Sequence, residues 1–261
     1  DVGIVKMRGK ARNDGGKPKT AEIIHKNGEW FISVSMEYDS IERQCGTKAI
    51  GLDWGVSHYF STIDQDGNFE QVENPRYLRN SKELLAALQR DLALAKKGTR
   101  AYRKLKHRIA KLHQKIARQR LDFTHKETAK LVKVAALIAT EKLTVKNMTS
   151  SAKGTAEKHG KNVKQKAGLN REILNTAPAM TLNLLRYKAE EASSEFVEVP
   201  TKQVKPSQTC PDCGAKKKKT LAERWHSCDC GCEKPRDVAS AQVNLNWALG
   251  IQAGNQPKKA A

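Results

Sequence analysis

The sequence has no long apolar run, and only one of its six cysteines lies outside the last fifth of the chain. No uninterrupted apolar stretch approaches the roughly 18 residues of a membrane-spanning helix. The N-terminus has neither an initiating Met nor the apolar segment of a signal peptide. We therefore expect a cytoplasmic protein without a membrane partner, whose first residue lies inside a longer reading frame. Because Cys45 stands apart from the other cysteines, we do not expect a disulfide framework.

Acidic residues are scarce, and this shortage is strongest in one segment. The chain has 48 Lys and Arg against 28 Asp and Glu, a formal charge of +20. Eleven basic residues and no acid lie in residues 92–121. Such a charge favours a polyanionic partner, nucleic acid first, although a solvated basic surface is the alternative. The candidate nucleic-acid contacts are Lys96, Arg100, Arg103, Lys104, Arg108, Lys111, Lys115 and Arg118.

Apolar alternation predicts strands in the first third of the chain. The predicted strands of the N-terminal segment cover residues 4–8, 21–25 and 30–38, and we expect them to be part of a small barrel or sheet. Two or three strands cannot bury a core alone, so the missing half would lie upstream. From residue 48 the pattern predicts an α/β domain that opens with three antiparallel strands, at 49–53, 58–63 and 67–73.

Helical spacing of Leu and Ala follows these strands. It predicts a helical hairpin over residues 79–97 and 100–120, a third helix over 123–133, and further helices over 170–193 and 238–249. The apolar residues 134–140 predict a central strand, although an Ala-rich run is also compatible with a helix, and 196–199 predict a last strand. Residues 149–168 have almost no apolar content and predict a mobile basic loop.

The cysteines near the C-terminus have the spacing of a zinc site. Cys210 and Cys213 form one close pair, and Cys228, Cys230 and Cys232 follow about fifteen residues later. Two such turns point thiolates at one tetrahedral ion, so the pattern predicts one structural Zn²⁺ in a zinc ribbon. The spacing gives Cys210 and Cys213 as one pair of ligands and leaves open which two of Cys228, Cys230 and Cys232 complete the set.

Three carboxylates are predicted to lie at strand or helix ends that an α/β fold brings together. Asp53 ends the first strand of the domain, Glu141 follows the central strand, and Asp237 begins the last helix. Each has an ordinary explanation by itself: a turn residue, the start of a loop, and an acid at a helix N-terminus. Together, three converging carboxylates would bind two Mg²⁺ ions and support phosphodiester hydrolysis.

Four motifs in order give the sequence a specific resemblance. They are Gly51-Leu-Asp53-Trp-Gly55, Glu141-Lys-Leu-Thr-Val-Lys-Asn147-Met148, Ser207-Gln-Thr-Cys210-Pro-Asp-Cys213-Gly214 and Arg236-Asp237-Val-Ala-Ser-Ala241. Over residues 1–250 the chain resembles the TnpB (OrfB) family of transposon-encoded RNA-guided nucleases, which are related to type V CRISPR effectors. Carried over to this chain, the family's catalytic residues are Asp53, Glu141 and Asp237.

The resemblance implies a RuvC-like, RNase H-type α/β fold with a helical insertion and a zinc ribbon. The implied domains are a partial wedge barrel (1–45), the nuclease domain (46–204, with the insertion at 79–121), the target-nucleic-acid-binding zinc ribbon (205–235), a C-terminal nuclease helix (236–250) and a flexible tail (251–261). Two departures stand out. Ser227 occupies the position expected for a zinc ligand, so the resemblance favours Cys210, Cys213, Cys228 and Cys230 as the ligands, with Cys232 as the alternative to one of the second pair. The N-terminal half of the family's length is absent.

The implied activity is RNA-guided cleavage of DNA with two Mg²⁺ ions, in the cytoplasm of a prokaryotic cell at the nucleoid. The implied partners are guide RNA and target DNA, with association to a longer or second copy of the protein as a further possibility. Two alternatives remain open: a truncated product that binds nucleic acid without cutting, and a transposase or resolvase that acts without RNA.

Overall fold

The N-terminal hairpin is exposed along almost its whole length. A computed structural model describes residues 15–26, 28–39, 44–155, 157–220 and 222–251. In it, β1 (Lys17–Lys26) pairs antiparallel with β2 (Glu29–Glu37). These strands confirm the two predicted around residues 21–25 and 30–38, whereas the strand predicted at 4–8 lies outside the described residues. The side chains of Ile23, Trp30 and Ile32 remain exposed, because the other described residues do not cover both faces of this hairpin.

A five-stranded mixed sheet forms the centre of the fold. Its strand order is β5-β4-β3-β6-β7. The strand β3 pairs antiparallel with β4, which pairs antiparallel with β5, while β6 and β7 run parallel to β3. This arrangement confirms an α/β fold that opens with three antiparallel strands. The bounds are β3 (Lys48–Trp54), β4 (His58–Asp64), β5 (Phe69–Glu73), β6 (Ala135–Glu141) and β7 (Glu195–Val199).

Both faces of the sheet are covered by helices, which explains the apolar character of its central strands. Leu52, Tyr59, Ile138 and Leu185 are buried in one cluster. The helices are α1 (Tyr77–Asn80), α2 (Lys82–Leu94), α3 (Arg100–Val134), α4 (Val145–Met148), α5 (Val163–Thr176), α6 (Pro178–Glu191), α7 (Thr201–Val204) and α8 (Arg236–Ala248).

The prediction of two separate helices over residues 100–133 is wrong, because α3 is one helix of 35 residues. No Gly or Pro lies between Leu121 and Phe123, so nothing in the backbone ends the helix there. The side chain of Thr99 caps the helix by accepting a hydrogen bond from the Tyr102 N–H, 3.2 Å. The turn predicted at Gly98-Thr99 is thereby confirmed.

Two further predictions need correction. The basic loop expected over residues 149–168 gives way to α5 at Val163, and the helix expected over 170–193 is interrupted at Ala177. Ala177 has a left-handed backbone (φ 49°), and Pro178 starts the next helix. The residue before a proline is disfavoured in the right-handed helical region, so the break follows from local backbone chemistry.

The cysteine-rich module precedes the last helix. Its short antiparallel strands β8 (Trp225–Ser227) and β9 (Glu233–Pro235) lead directly into α8. The last helix crosses the sheet at β3, where the absent side chain of Gly51 leaves room for the Ala241 carbonyl. None of the helices in the described ranges is long and apolar enough to cross a membrane.

Candidate metal sites

The sheet brings two of the predicted carboxylates to the same edge. In the parallel pairing of β3 with β6, Leu52 lies opposite Thr140. Asp53 and Glu141 are the next residues on these adjacent strands, so they lie side by side at the C-terminal ends. This edge is where ligands bind in open sheets with parallel strands.

The third carboxylate reaches the same edge from α8. Asn244 donates a hydrogen bond from Nδ2 to the Leu52 carbonyl, 3.0 Å, and so holds the helix against β3. A side chain added at Gly55 would have its Cβ 3.9 Å from Asp237 Oδ2. Asp237 in the first turn of α8 therefore lies beside the end of β3, close to Asp53.

The pKa values show that the three acids share one electrostatic environment. Burial raises the pKa of Asp53 well above its usual range, and the negative charges of Glu141 and Asp237 raise it further. The positive charge of Arg236 lowers the pKa of Asp53. Burial also raises the pKa of Glu141, to about 7. Carboxylates gathered in this way repel one another, and a divalent cation would relieve the repulsion, so the donor set fits hard cations such as Mg²⁺.

The three carboxylates lie farther apart than the ligands of a single metal ion. In the part of the chain that the structure describes, the two groups whose ligand atoms all lie within 4.8 Å of one another are both in the cysteine module. Ligands of two ions about 3.5–4 Å apart are spread over a larger distance than ligands of one ion. The wider spacing is therefore compatible with a two-ion site.

Arg236 joins the carboxylates to the cysteine module. Its Nε lies 3.5 Å from Asp237 Oδ1, and its Nη1 donates to the carbonyls of Thr220 and Glu223, each at 3.1 Å. Its backbone N–H donates to the Arg224 carbonyl, 2.9 Å. The motif Arg236-Asp237 is visible in the sequence, but this bridging contact is not, because it depends on where Thr220, Glu223 and Arg224 lie.

Four cysteines form the first of the two compact groups. The Sγ atoms of Cys210 and Cys230 are 3.6 Å apart, as are those of Cys213 and Cys228, and all four lie within 4.8 Å of one another. This set could hold a metal ion. It consists of the four cysteines that the resemblance favours, and four convergent sulfurs are the donor set of structural zinc.

The second compact group was only partly visible in the sequence. It contains Cys210, His226 and Cys232, all buried. The sequence offers Cys232 as an alternative zinc ligand, whereas no motif or spacing points to His226. One histidine two residues before Cys228 does not match a zinc-ligand spacing, and only the pairing of β8 with β9 brings it near Cys232.

The eight basic candidates are exposed on α3 and just before it. Arg100, Arg103 and Lys104 line a surface hollow in the first turns of the helix. Arg118 differs from the others, because it forms an ion pair with Glu29 of the hairpin, 3.0 Å, and lies over the Phe31 ring. The side chains of the other seven basic candidates are exposed to solvent.

Two family models match the chain. A model named OrfB_IS605 and described as "Probable transposase" matches residues 31–152, and a model described as "Cas12f1-like, TNB domain" matches residues 179–244. A relative from Escherichia coli (strain K12), named "Putative RNA-guided DNA endonuclease InsQ", is 33% identical over 232 residues, 88% of this chain and 55% of that protein. These matches confirm the resemblance to the TnpB (OrfB) family.

A second TnpB-family relative comes from Streptomyces pristinaespiralis and is named "Putative RNA-guided DNA endonuclease". It is 29% identical over 242 residues, which are 92% of this chain and 55% of the relative. The chain thus spans about half the length of these two curated relatives.

Two solved structures share the fold of this chain. A Cas12f1–sgRNA–target DNA complex has a TM-score of 0.51 at 17% identity and covers 87% of this chain and 55% of the other. A CRISPR-Cas12f ternary complex has a TM-score of 0.50 at 15% identity, with 87% and 44% covered. At this identity the likeness concerns the fold.

Proposed function

We propose that the chain is the catalytic part of an RNA-guided DNA endonuclease that hydrolyses DNA phosphodiesters with two Mg²⁺ ions. The observation that carries the proposal is the convergence of Asp53, Glu141 and Asp237 at one edge of the sheet. The names of the relatives from Escherichia coli and Streptomyces pristinaespiralis support the same activity.

The strand order supports a RuvC-like, RNase H-type domain. Three antiparallel strands are followed by two strands parallel to the first, and the first strand lies in the middle of the sheet. The proposed nuclease domain comprises residues 46–204 and 236–250, with the insertion at 79–121. The zinc ribbon at 205–235 interrupts it, and residues 1–45 belong to a wedge barrel.

Asp53, Glu141 and Asp237 would hold the magnesium ions. When bound, such ions stabilise negative charge on the phosphate and favour ionisation of the attacking water. The chain itself supplies the fixed positions of the carboxylates, through the β3–β6 pairing and the Asn244 contact. Arg236 holds Asp237 from the side of the cysteine module.

Nucleic acid would be bound mainly through charge. The exposed basic residues of α3 and the lysines between 153 and 166 would contact phosphates of guide RNA and target DNA, with base pairing determining the target sequence. One Zn²⁺ on Cys210, Cys213, Cys228 and Cys230 would stabilise the ribbon.

Cleavage of labelled single-stranded DNA by the purified chain with Mg²⁺ and its copurified RNA tests the proposal. We expect Asp53→Asn, Glu141→Gln and Asp237→Asn each to reduce the cleavage rate by about a thousandfold, because metal ligation contributes several kcal/mol at the transition state. Asp122→Asn is the matched control, since this acid is exposed on α3 and pairs with Lys126. Equal loss in the control, or no loss in the three variants, would contradict the proposal.

The alternative of a binder that does not cut rests on the length of the chain, which covers 55% of its relatives. It predicts tight nucleic-acid binding and a cleavage rate that Asp53→Asn leaves unchanged. An RNA-independent transposase or resolvase predicts instead that ribonuclease treatment of the preparation leaves cleavage intact.

A further inference from the structure

The buried group in the cysteine module has the composition of a metal site. Cys210, His226 and Cys232 place two sulfurs and a ring nitrogen within 4.8 Å of one another. All three are buried, whereas Cys230 of the four-cysteine group is exposed. Sulfur and imidazole are the donors that zinc and other thiophilic divalent ions prefer. The two groups share Cys210, so they are adjacent.

One ring nitrogen of His226 is buried without a polar contact in the described part of the chain. Its Nε2 is buried and has no hydrogen-bond partner among the described residues. A buried polar atom without a hydrogen-bond partner destabilises the folded state. The strand pairing of His226 with Lys234 fixes the backbone at this point, so the ring is held inside the module. A ligand on Nε2 would remove this cost.

The three protein donors leave a fourth position for a water molecule, as in zinc sites with three protein ligands. Two sulfurs, one ring nitrogen and one water oxygen would then make up a tetrahedral set.

We propose that Cys210, His226 and Cys232 form a second site for a thiophilic divalent cation, with the Cys210 sulfur bridging it to the four-cysteine site. Shared thiolates are established chemistry, because in Zn₂Cys₆ modules six cysteines hold two zinc ions. The second site would fasten β8 and β9 to the Cys210 turn from the buried side. It stands independently of the proposed nuclease activity, because it depends only on the module.

Lys219 controls the affinity of the second site. Its Nζ contacts Nδ1 of His226, and its charge interacts with Cys210 and Cys232. A cation on Nε2 leaves the ring proton on Nδ1, so the ammonium then faces a donor and turns away. Lys219 is only partly buried, which leaves this movement open. The second ion is therefore expected to bind more weakly than the first.

Titration of the full chain with Co²⁺, followed by Zn²⁺ competition and metal analysis, tests the proposal. We expect two equivalents per chain for the natural sequence, and one equivalent for Cys232→Ser and for His226→Gln. Lys219→Met should tighten the second equivalent by roughly tenfold or more, because it removes a like charge beside the ion. Cys45→Ser and His159→Gln are matched controls outside both groups, and should retain two equivalents.

Cadmium NMR of the natural chain covers the case in which a variant does not fold. Two signals are expected, one typical of four sulfurs and one of a mixed sulfur, nitrogen and oxygen set. A single equivalent with one four-sulfur signal would overturn the proposal. The proposal would also be overturned if one cadmium ion bound and its NMR signal changed with His226→Gln. A single ion would then take its ligands from both groups. If a second equivalent bound only to the Lys219→Met variant, the proposal would be overturned for the natural chain.

Discussion

Asp64 shows how one buried acid is kept ionised outside the proposed active site. Its carboxylate accepts hydrogen bonds from Lys48 Nζ, 2.6 Å, and from the backbone N–H of Asn68, 2.9 Å. Burial by itself raises the pKa of Asp64, but these hydrogen bonds outweigh burial and hold the pKa below its usual range. The residue therefore closes the turn between β4 and β5 as a charged group.

Replacing Asp64 by Asn should lower the free energy of unfolding by about 1–3 kcal/mol at neutral pH. A depressed pKa stabilises the fold above the unfolded-state value of about 3.9, and this stabilisation is lost as pH falls below it. The difference between Asp64→Asn and the natural chain should therefore shrink below about pH 3.9, as measured by urea unfolding across pH. The exposed neighbour Asp66, changed to Asn, is the control. A difference that stays constant at low pH would contradict the assigned ionisation.

Single residues differed in how well the sequence predicted them. The roles proposed for Cys210 and Cys213 rest on spacing, which is a local property. His226 and Arg236 could not be predicted in the same way, because their contacts depend on where strand β8 and the residues Thr220 and Glu223 lie in space. Such contacts have no period or motif in the chain.

At the level of elements, the close packing of α8 on β3 depends on Gly51, which has no side chain. A Cβ on Gly51 would overlap the Ala241 carbonyl and lie 2.8 Å from Leu245 Cβ. The helix carries Asp237, so its distance from β3 also sets the position of this carboxylate. Packing and site geometry are thus coupled here.

Gly51→Ala is expected to destabilise the fold by about 1–3 kcal/mol, because the added methyl group forces α8 away from the sheet. Cleavage should fall in parallel, since Asp237 moves with the helix. Gly168→Ala is the matched control: Gly168 lies in α5 with open space around it, and the change should stabilise the helix by about 0.5–1 kcal/mol. Thermal unfolding of both variants measures the difference. Equal stability of the two variants would show that β3 and α8 are not in close contact.

Element types were more predictable than element ends. The strands at residues 49–53 and 58–63 followed from apolar runs and turn residues. The length of α3 was underestimated because Asp122 and neighbouring polar residues weaken the apolar stripe without stopping the helix. The end of α5 at Ala177 was missed, although Pro178 carried a signal for it.

At the scale of the whole molecule, charge is the property that the sequence predicts best. Ten of the eleven basic residues of the segment 92–121 are exposed, on α3 or just before it, and Arg120 is partly buried. Acids return only in the second half of α3, where Asp122 and Glu127 pair with Lys126 and Lys130. The N-terminal part of α3 is therefore expected to provide the electrostatic contact with nucleic acid.

The salt dependence of single-stranded nucleic-acid binding tests this asymmetry. The combined change Arg100→Gln, Arg103→Gln and Lys104→Gln removes three charges around the surface hollow. Each phosphate contact contributes about 0.7 to the slope of log affinity against log salt for single strands, so the slope should fall by about 2. The matched control, Lys126→Gln, Lys130→Gln and Lys133→Gln, removes the same charge from the other half of the same helix and should leave the slope almost unchanged. If both triple variants lowered the slope equally, net charge rather than the N-terminal surface of α3 would govern binding.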